Sequence, residues 1–200
     1  EDTAVVGLVS FANQSLGICS GTLIAPNVVL TAQHCVAPTS TQGVVCGQTY
    51  FGSAYSASGL YITTQPSMTR DPRDYWESAE VFVTESSDFC GNDIAILVLT
   101  EPVDESYATP RIPRVDTPIE RYDGYYAVGY GSTSDAGGGS GTRRRRDNLV
   151  IDCVGAECPS WYVTAEELVG DTGVCTGDSG GPAFDSLGRV VGIASRGAMG

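Results

Sequence analysis

The amino-acid sequence predicts an all-β fold. Its 200 residues include 25 glycines and 10 prolines, and many short runs of Val, Ile and Tyr lie between them. Such spacing is typical of turns that join short strands and not of a helical bundle. A hydrophobic content of 42% is enough to build a substantial core. Composition and spacing together therefore indicate a β-sandwich or a β-barrel.

Two groups of strands are predicted, with a polar connection between them. The first group comprises Val5–Phe11, Ile18–Ala25, Asn27–Thr31, Val44–Phe51, Leu60–Thr64, Glu80–Thr84 and Ile94–Leu99, with a short helical turn at Ala32–Cys35. Pro, Asp and Thr dominate Glu101–Pro118, which we interpret as an interdomain connection. The second group comprises Tyr125–Tyr130, Asn148–Cys153, Trp161–Thr164, Pro182–Phe184 and Arg189–Ser195. The segment Ser132–Gly141 is rich in Gly and Ser and is predicted to be a mobile loop.

Charge and cysteine content limit the classes of function. The formal net charge of −13 would repel a phosphate backbone, so no nucleic-acid partner is expected. No run of residues approaches the ~18 apolar residues of a membrane span, and no membrane partner is expected. Seven cysteines indicate an oxidising compartment and hence a secreted or extracellular protein. All 11 basic side chains are arginines, which hints at a GC-rich bacterial source.

Three local motifs supply a base, a carboxylate and a hydroxyl. The only histidine, His34, lies in the string TAQHC, Asp93 lies in GNDIAIL, and Ser179 lies in TGDSGGP. A serine hydroxyl is a poor nucleophile unless a base removes its proton and a third group orients that base. Each motif alone has an ordinary interpretation, as a packed histidine, a strand cap or a glycine-rich turn. Their occurrence in the order His, Asp, Ser favours a catalytic triad.

On these motifs the chain resembles the trypsin/chymotrypsin-type serine proteases. The resemblance continues in the strings CSGTLI, AVGYG and GIASRG, although Tyr130 and Arg196 stand where tryptophan is commoner. It implies two packed six-stranded antiparallel Greek-key β-barrels. The expected domains are residues 1–108, with the histidine and the aspartate, and residues 109–200, with the serine. The second barrel is expected to be incomplete in this chain.

The resemblance also assigns roles around Ser179. The backbone N–H groups of Gly177 and Ser179 would form an oxyanion hole, which suits a glycine that adopts positive φ. Asp178 would receive the ammonium group of a freed N-terminal Ile or Val. Relatives start with such a residue and continue past Gly200, so we expect a chain truncated at both ends and inactive as an isolated segment.

A substrate pocket is expected beside Ser179. Gly173 takes the place at the pocket base, where trypsin-like relatives keep an aspartate, and Val174 adds an apolar wall. An apolar or small P1 residue is therefore favoured over Arg or Lys. Ser195, Arg196 and Gly197 resemble the strand that holds substrate backbone. Arg196 either recruits an acidic group or is a solvated side chain.

The cysteines are expected to form disulfides. The resemblance implies that Cys19 pairs with Cys35 and that Cys175 pairs with a cysteine beyond Gly200. The pairing of the other four is open: a Cys153–Cys158 bond would close a short loop, and elimination would then leave Cys46–Cys90. The lone histidine and the cysteine spacing fit no zinc site, so no metal or other cofactor is expected.

Two charged segments have alternative interpretations. An acidic stretch of six carboxylates lies between Asp71 and Asp88, and a solvated insertion is favoured there over a calcium site. The basic run Arg143–Arg146 either contacts the protein's own acidic surface or docks an acidic partner.

The sequence thus predicts a secreted serine endopeptidase that acts on proteins or peptides and that protein inhibitors could bind. The alternative is an inactive protease-fold binding or regulatory protein. An esterase or lipase is disfavoured because those hydrolases place the serine before the acid and the histidine.

Overall fold

The computed structural model describes residues 2–12, 15–134, 137–159, 162–171 and 173–197. Trp161, the first residue of one predicted strand, lies outside these ranges, as do Asp135 and Ala136 of the predicted glycine-rich loop. Within them no helix is long and apolar enough to cross a bilayer.

The first half of the chain forms a closed barrel. Its strands are β1 (Val5–Ala12), β2 (Ser15–Ala25), β3 (Val28–Thr31), β4 (Leu60–Thr63), β5 (Trp76–Val83) and β6 (Ala95–Leu99). They follow one another around the barrel in the order β1-β2-β3-β6-β5-β4, and β1 closes it by pairing antiparallel with both β2 and β4. Alternate residues of β6 point inward, so that Ala95, Leu97 and Leu99 join a buried core with Leu23 and Ile62.

The second half forms an open antiparallel sheet. Its strands are β7 (Gly124–Gly129), β8 (Arg144–Val154), β9 (Leu168–Gly170), β10 (Pro182–Phe184) and β11 (Val190–Ile193), in the spatial order β11-β10-β7-β8-β9. The fold is therefore a closed six-stranded barrel with a half-barrel, and the predicted all-β class is confirmed. The predicted boundary at residue 108 falls in the connection between β6 and β7 and stays a prediction.

Two predicted strands are wrong. Val44–Phe51 is a loop with isolated bridges at Tyr50 and Phe51. Its polar groups are satisfied locally, since the Thr49 hydroxyl accepts from the Val45 N–H at 2.9 Å and donates to the Gly43 carbonyl at 3.2 Å. The described part of the second segment, residues 162–164, begins with a turn in which the Tyr162 N–H donates to the Pro159 carbonyl.

Arg144–Arg146, three of the four residues of the arginine run, belong to a strand. Strand β8 begins at Arg144, and its register pairs Arg144 with Gly129 and Arg145 with Val128. Arg145 forms ion pairs with Asp2 and Asp147, which matches the interpretation as a contact with the protein's own acidic groups. Arg143 donates instead to the backbone carbonyls of Val5 and Thr64.

Three disulfides are present: the first is the pair that the resemblance implies, and the other two resolve the pairing that the sequence leaves open. They are Cys19–Cys35, Cys46–Cys90 and Cys153–Cys158, and Cys175 is the free cysteine among the described residues. The first bond closes a separation of 16 residues, which is worth about 3 kcal/mol in the chain-entropy model.

Ser20, on β2, joins the two halves. Its hydroxyl is fully buried, donates to the Gly177 carbonyl at 2.9 Å and accepts from the Tyr130 N–H at 2.9 Å. Its own N–H donates to the Ser179 carbonyl at 2.8 Å. One residue of the first barrel therefore positions two separate segments of the second sheet.

Replacing Ser20 with alanine would leave a buried N–H and a buried carbonyl without their partner. We expect S20A to lower the free energy of unfolding by about 1–3 kcal/mol, measured by urea denaturation. The exposed Ser53 provides the control, S53A, which should change it by less than about 0.5 kcal/mol. Equal stability of S20A and S53A would contradict this role of Ser20.

Asp185 provides a second test, in the turn between β10 and β11. Burial raises the pKa of this carboxyl, but the Arg189 N–H, the Arg189 guanidinium and the Leu187 N–H outweigh it, so that the pKa lies below its usual value. A carboxyl with a lowered pKa stabilises the fold above its unfolded pKa of about 3.9 and loses that contribution as the pH falls through the folded value.

The stability difference between wild type and D185N should therefore be constant from pH 7 to about 5 and shrink below about pH 4. Urea unfolding of both proteins at several pH values measures this difference. A difference that grows on acidification would contradict the assignment.

Candidate active site

His34 and Asp93 form the centre of the site. His34 lies on a 3-10 turn, Gln33–Cys35, directly after β3, and Asp93 lies two residues before β6. Because β3 and β6 are hydrogen-bonded neighbours, both residues reach the same end of the barrel. The disulfide from Cys35 to Cys19 holds the histidine turn on β2.

The Asp93 carboxylate holds the histidine at two points. Its Oδ1 accepts from the backbone N–H of His34 at 2.9 Å, and its Oδ2 lies 2.7 Å from His34 Nδ1. If Asp93 is ionised and the imidazole is neutral, the ring proton lies on Nδ1, because a carboxylate only accepts, and Nε2 is then an acceptor. Asp93 is 7% exposed, which makes such pairing necessary for a charged group.

Ser195 completes the set of donors to Asp93. The Ser195 hydroxyl, just after β11, donates to Asp93 Oδ2 at 2.5 Å. The sequence associates Ser195 only with substrate backbone, and no local motif marks this contact with Asp93. The carboxylate therefore receives donors from both halves of the molecule.

Ser179 lies on the turn that precedes β10 and packs against the histidine turn. Cys35 Sγ, next to His34 in the chain, lies 3.5 Å from the Ser179 carbonyl oxygen. A side chain at Gly180 would collide with the Thr31 hydroxyl and lie 2.8 Å from the Ala32 backbone nitrogen. Only glycine therefore permits this close approach.

The serine turn carries two backbone N–H groups, of Gly177 and Ser179, that are expected to form an oxyanion hole. Gly177 has a φ of +100°, which agrees with its predicted conformation. Within the described ranges neither the Gly177 N–H nor the Ser179 N–H donates a hydrogen bond. Both groups are thus available to an anionic oxygen.

The Asp178 carboxylate accepts hydrogen bonds from two backbone amides. Its Oδ1 accepts from the Gly131 N–H at 2.8 Å and its Oδ2 accepts from the Cys175 N–H at 3.0 Å. A side chain at Gly129 or Gly131 would collide with this carboxylate. Asp178 therefore packs the glycine-aromatic-glycine strand end against the serine turn.

The predicted pocket segments are neighbours. The Cβ of a side chain at Gly197 would lie 3.7 Å from the Val174 carbonyl oxygen. Gly173, Val174 and Ser195 line one open cavity of about 1170 Å³. Gly173 has a φ of +113°, and a side chain there would collide with the Arg146 guanidinium. Gly173, which is expected to give the pocket base no charge, is therefore bordered by a cation.

The Arg196 side chain is largely buried. Its side chain is 13% exposed and forms an ion pair with Glu167, with Nη1 2.6 Å from Oε1 and Nη2 3.0 Å from Oε2. The alternative of a solvated side chain is therefore wrong, and the sequence did not identify Glu167 as the partner of Arg196. Phe89, whose ring stacks on His34 with centroids 5.8 Å apart, was also missed because no sequence motif marks it.

One cluster of metal-ligand types occurs among the described residues, namely Cys19, His34 and Cys35. Both sulfurs are in the disulfide that joins them, so no thiolate is available there for a metal.

Known proteins similar to this chain include a trypsin and a chymotrypsin. The chain is 30% identical over 190 residues to a trypsin of Simulium vittatum, covering 90% of this chain and 70% of the relative. It is 29% identical over 173 residues to chymotrypsin-C of Bos taurus, covering 82% of this chain but only 60% of the relative. It therefore spans only part of the length of these relatives.

The fold is similar to that of the scabies mite inactivated protease paralogue S-D1, with a TM-score of 0.74 and 18% identity, covering 99% of this chain and 82% of that one. The family model described as trypsin matches residues 4–200, which include the His34–Asp93 pair and the Ser179 turn. By this match, the chain belongs to the trypsin family.

Proposed function

We propose that the protein is a serine endopeptidase in which Ser179 is the nucleophile, His34 is the general base and Asp93 orients and stabilises His34. The observation that carries the proposal is the buried Asp93 carboxylate, which binds both the backbone N–H and the ring Nδ1 of the only histidine. This arrangement leaves Nε2 as an acceptor for the serine proton.

The mechanism follows from these roles. Ser179 Oγ attacks the carbonyl carbon of the scissile peptide bond as its proton passes to His34 Nε2. The oxyanion accepts hydrogen bonds from the N–H groups of Gly177 and Ser179. The imidazolium, stabilised by Asp93, then protonates the leaving amine, and an acyl-enzyme remains. Water then attacks the ester carbonyl carbon as His34 Nε2 takes its proton, and the imidazolium returns that proton to Ser179 Oγ as the ester bond breaks and the acid product leaves.

Proteins or peptides are the proposed substrates, with protein inhibitors as further candidate partners. The three disulfides support a secreted or extracellular location. The bacterial source stays a prediction, since the relatives described above are animal proteins. The truncated ends stay a prediction as well. The division into domains at residue 108 is part of the same proposal.

An inactive binding or regulatory protein is the second candidate function. It is favoured by the similarity in fold to an inactivated protease paralogue. Against it, this chain keeps a histidine, an aspartate and a serine in the proposed positions.

We further propose that the pocket prefers an apolar or small P1 residue to Arg or Lys. Gly173 contributes no carboxylate, and Val174 contributes an apolar wall. The Arg146 guanidinium beside Gly173 adds repulsion between like charges for a cationic P1 side chain.

Substitution of the proposed nucleophile and base tests the activity. In the full-length protein, S179A and H34A should each lower kcat by about 10⁶-fold, because a triad acts as one unit. The measurements are peptide hydrolysis and labelling by a fluorophosphonate, with the exposed Ser186 as a matched control, S186A. Wild-type turnover in either variant would refute the assignment, and a folded wild type that neither hydrolyses nor labels would support the inactive alternative.

A panel of chromogenic peptides tests the pocket. Substrates with Leu, Phe or Ala at P1 should have a higher kcat/KM than those with Arg, Lys or Glu. R146M keeps the stem and removes the cation, so it should raise kcat/KM for a Lys P1 substrate about tenfold relative to the Leu substrate. A preference of the wild type for Arg or Lys would contradict the proposed pocket, and a preference for Glu would replace the apolar P1 by an acidic one.

A further inference from the structure

Glu167 lies outside the proposed triad, yet its carboxylate is saturated with donors. Oε1 accepts from the Gly91 N–H at 3.0 Å and from Arg196 Nη1 at 2.6 Å. Oε2 accepts from the Thr164 N–H at 2.8 Å and from Arg196 Nη2 at 3.0 Å. The side chain is 15% exposed, so these four bonds fix one orientation of the carboxylate.

Glu167 belongs to the second half of the molecule, whereas Gly91 belongs to the segment that ends in Asp93. Gly91 has a φ of +80°, and a side chain on it would lie 2.7 Å from the Thr164 hydroxyl and 3.1 Å from Glu166 Oε2. The two segments therefore fit closely only with glycine at this position. The Gly91 N–H to Glu167 bond pins the chain two residues before the aspartate.

Arg196 links the bond between Gly91 and Glu167 to Ser195, which donates to Asp93. Ser195, its neighbour in the chain, donates directly to Asp93, while Arg196 holds Glu167 and donates to the Tyr162 carbonyl at 2.5 Å. The path from Asp93 through Ser195, Arg196, Glu167 and Gly91 returns to Asp93. It forms a closed ring across the two halves of the fold.

The Arg196 guanidinium also lies over the aromatic ring that stacks on His34. Its central carbon lies 5.9 Å from the Phe89 ring centroid and 5.2 Å from that of Tyr162. Phe89 in turn stacks on the His34 ring. Both partners of the His34–Asp93 pair are thus held against groups that Arg196 orders.

The charges of this ring are balanced. Burial raises the pKa of Glu167, but hydrogen bonds from Arg196, Thr164 and Gly91 outweigh burial and bring the pKa below its ordinary value. Burial lowers the pKa of Arg196, but the hydrogen bonds to Glu167 raise it by more, so that the pKa lies above its ordinary value. Both groups therefore stay ionised at neutral pH, and the pair adds no net charge beside Asp93.

We propose that Glu167 and Arg196 are positioning residues, which clamp the Gly91–Asp93 segment to the second half of the fold and thereby align Asp93 on His34. The proposal rests on the proposed function for its catalytic consequence. A lysine could not replace Arg196, because one ammonium cannot bind both carboxylate oxygens and the Tyr162 carbonyl in a planar fork.

E167Q in the full-length protein tests the clamp, since it keeps the size of the side chain and removes its charge and one acceptor. The first measurement is amide hydrogen exchange at Gly91 and at His34, whose N–H is held by Asp93. Both amides should exchange at least about tenfold faster. The second is steady-state kinetics, where kcat should fall about tenfold or more while KM changes by less than about twofold.

D185N is the matched control. Asp185 is also a buried carboxylate that binds one arginine and two backbone N–H groups, but it lies in the β10–β11 turn. D185N should leave kcat and the exchange of the His34 amide unchanged. R196K is the second variant if E167Q does not fold, and it should act in the same direction as E167Q.

The clamp would be overturned if E167Q or R196K left the exchange of the His34 amide at the wild-type rate, or changed it no more than D185N does. Because exchange needs no turnover, a wild type without peptidase activity would refute the proposed function and still allow the clamp to be tested. An active enzyme in which neither variant changes the exchange or kcat would refute the clamp alone.

Discussion

The hydrogen bonds of Ser20 are the constraint on which the rest of the site depends. One buried hydroxyl satisfies the Tyr130 N–H and the Gly177 carbonyl, and the same residue's N–H holds the Ser179 carbonyl. The second sheet could not move relative to the first barrel without leaving buried polar groups unpaired, which is costly in a low-dielectric interior. The position of the Ser179 turn is therefore set by a residue on a strand of the other half.

Asp93 is the second point at which the two halves meet. It comes from the first barrel, yet one of its three donors, Ser195, comes from the second sheet. A buried carboxylate is stable only when its charge is matched by donors. The same contacts that make burial tolerable also orient the imidazole, so folding and preorganisation of the site arise from one set of hydrogen bonds.

Much of this could be predicted from local patterns. Strands such as β6 alternate buried and partly buried residues, and the Cys19–Cys35 disulfide is the pair that the family resemblance implies. The errors have a physical cause. Val44–Phe51 has the composition of a strand, but the Cys46–Cys90 disulfide and the Thr49 side chain stabilise a loop instead. The strand predicted from Asn148 begins earlier, at Arg144, because the backbone of Arg144–Arg146 completes the ladder with β7 while its side chains stay largely exposed.

The sequence by itself determined the all-β class, the His34, Asp93 and Ser179 motifs and the need for glycine at position 177, because each depends on residues near one another in the chain. Only the tertiary structure decided that Glu167 faces Arg196, that Arg146 borders Gly173 and that Ser195 binds Asp93. Those contacts join residues from 27 to 102 positions apart, and no periodicity or local motif encodes which distant side chains a fold brings within hydrogen-bonding distance.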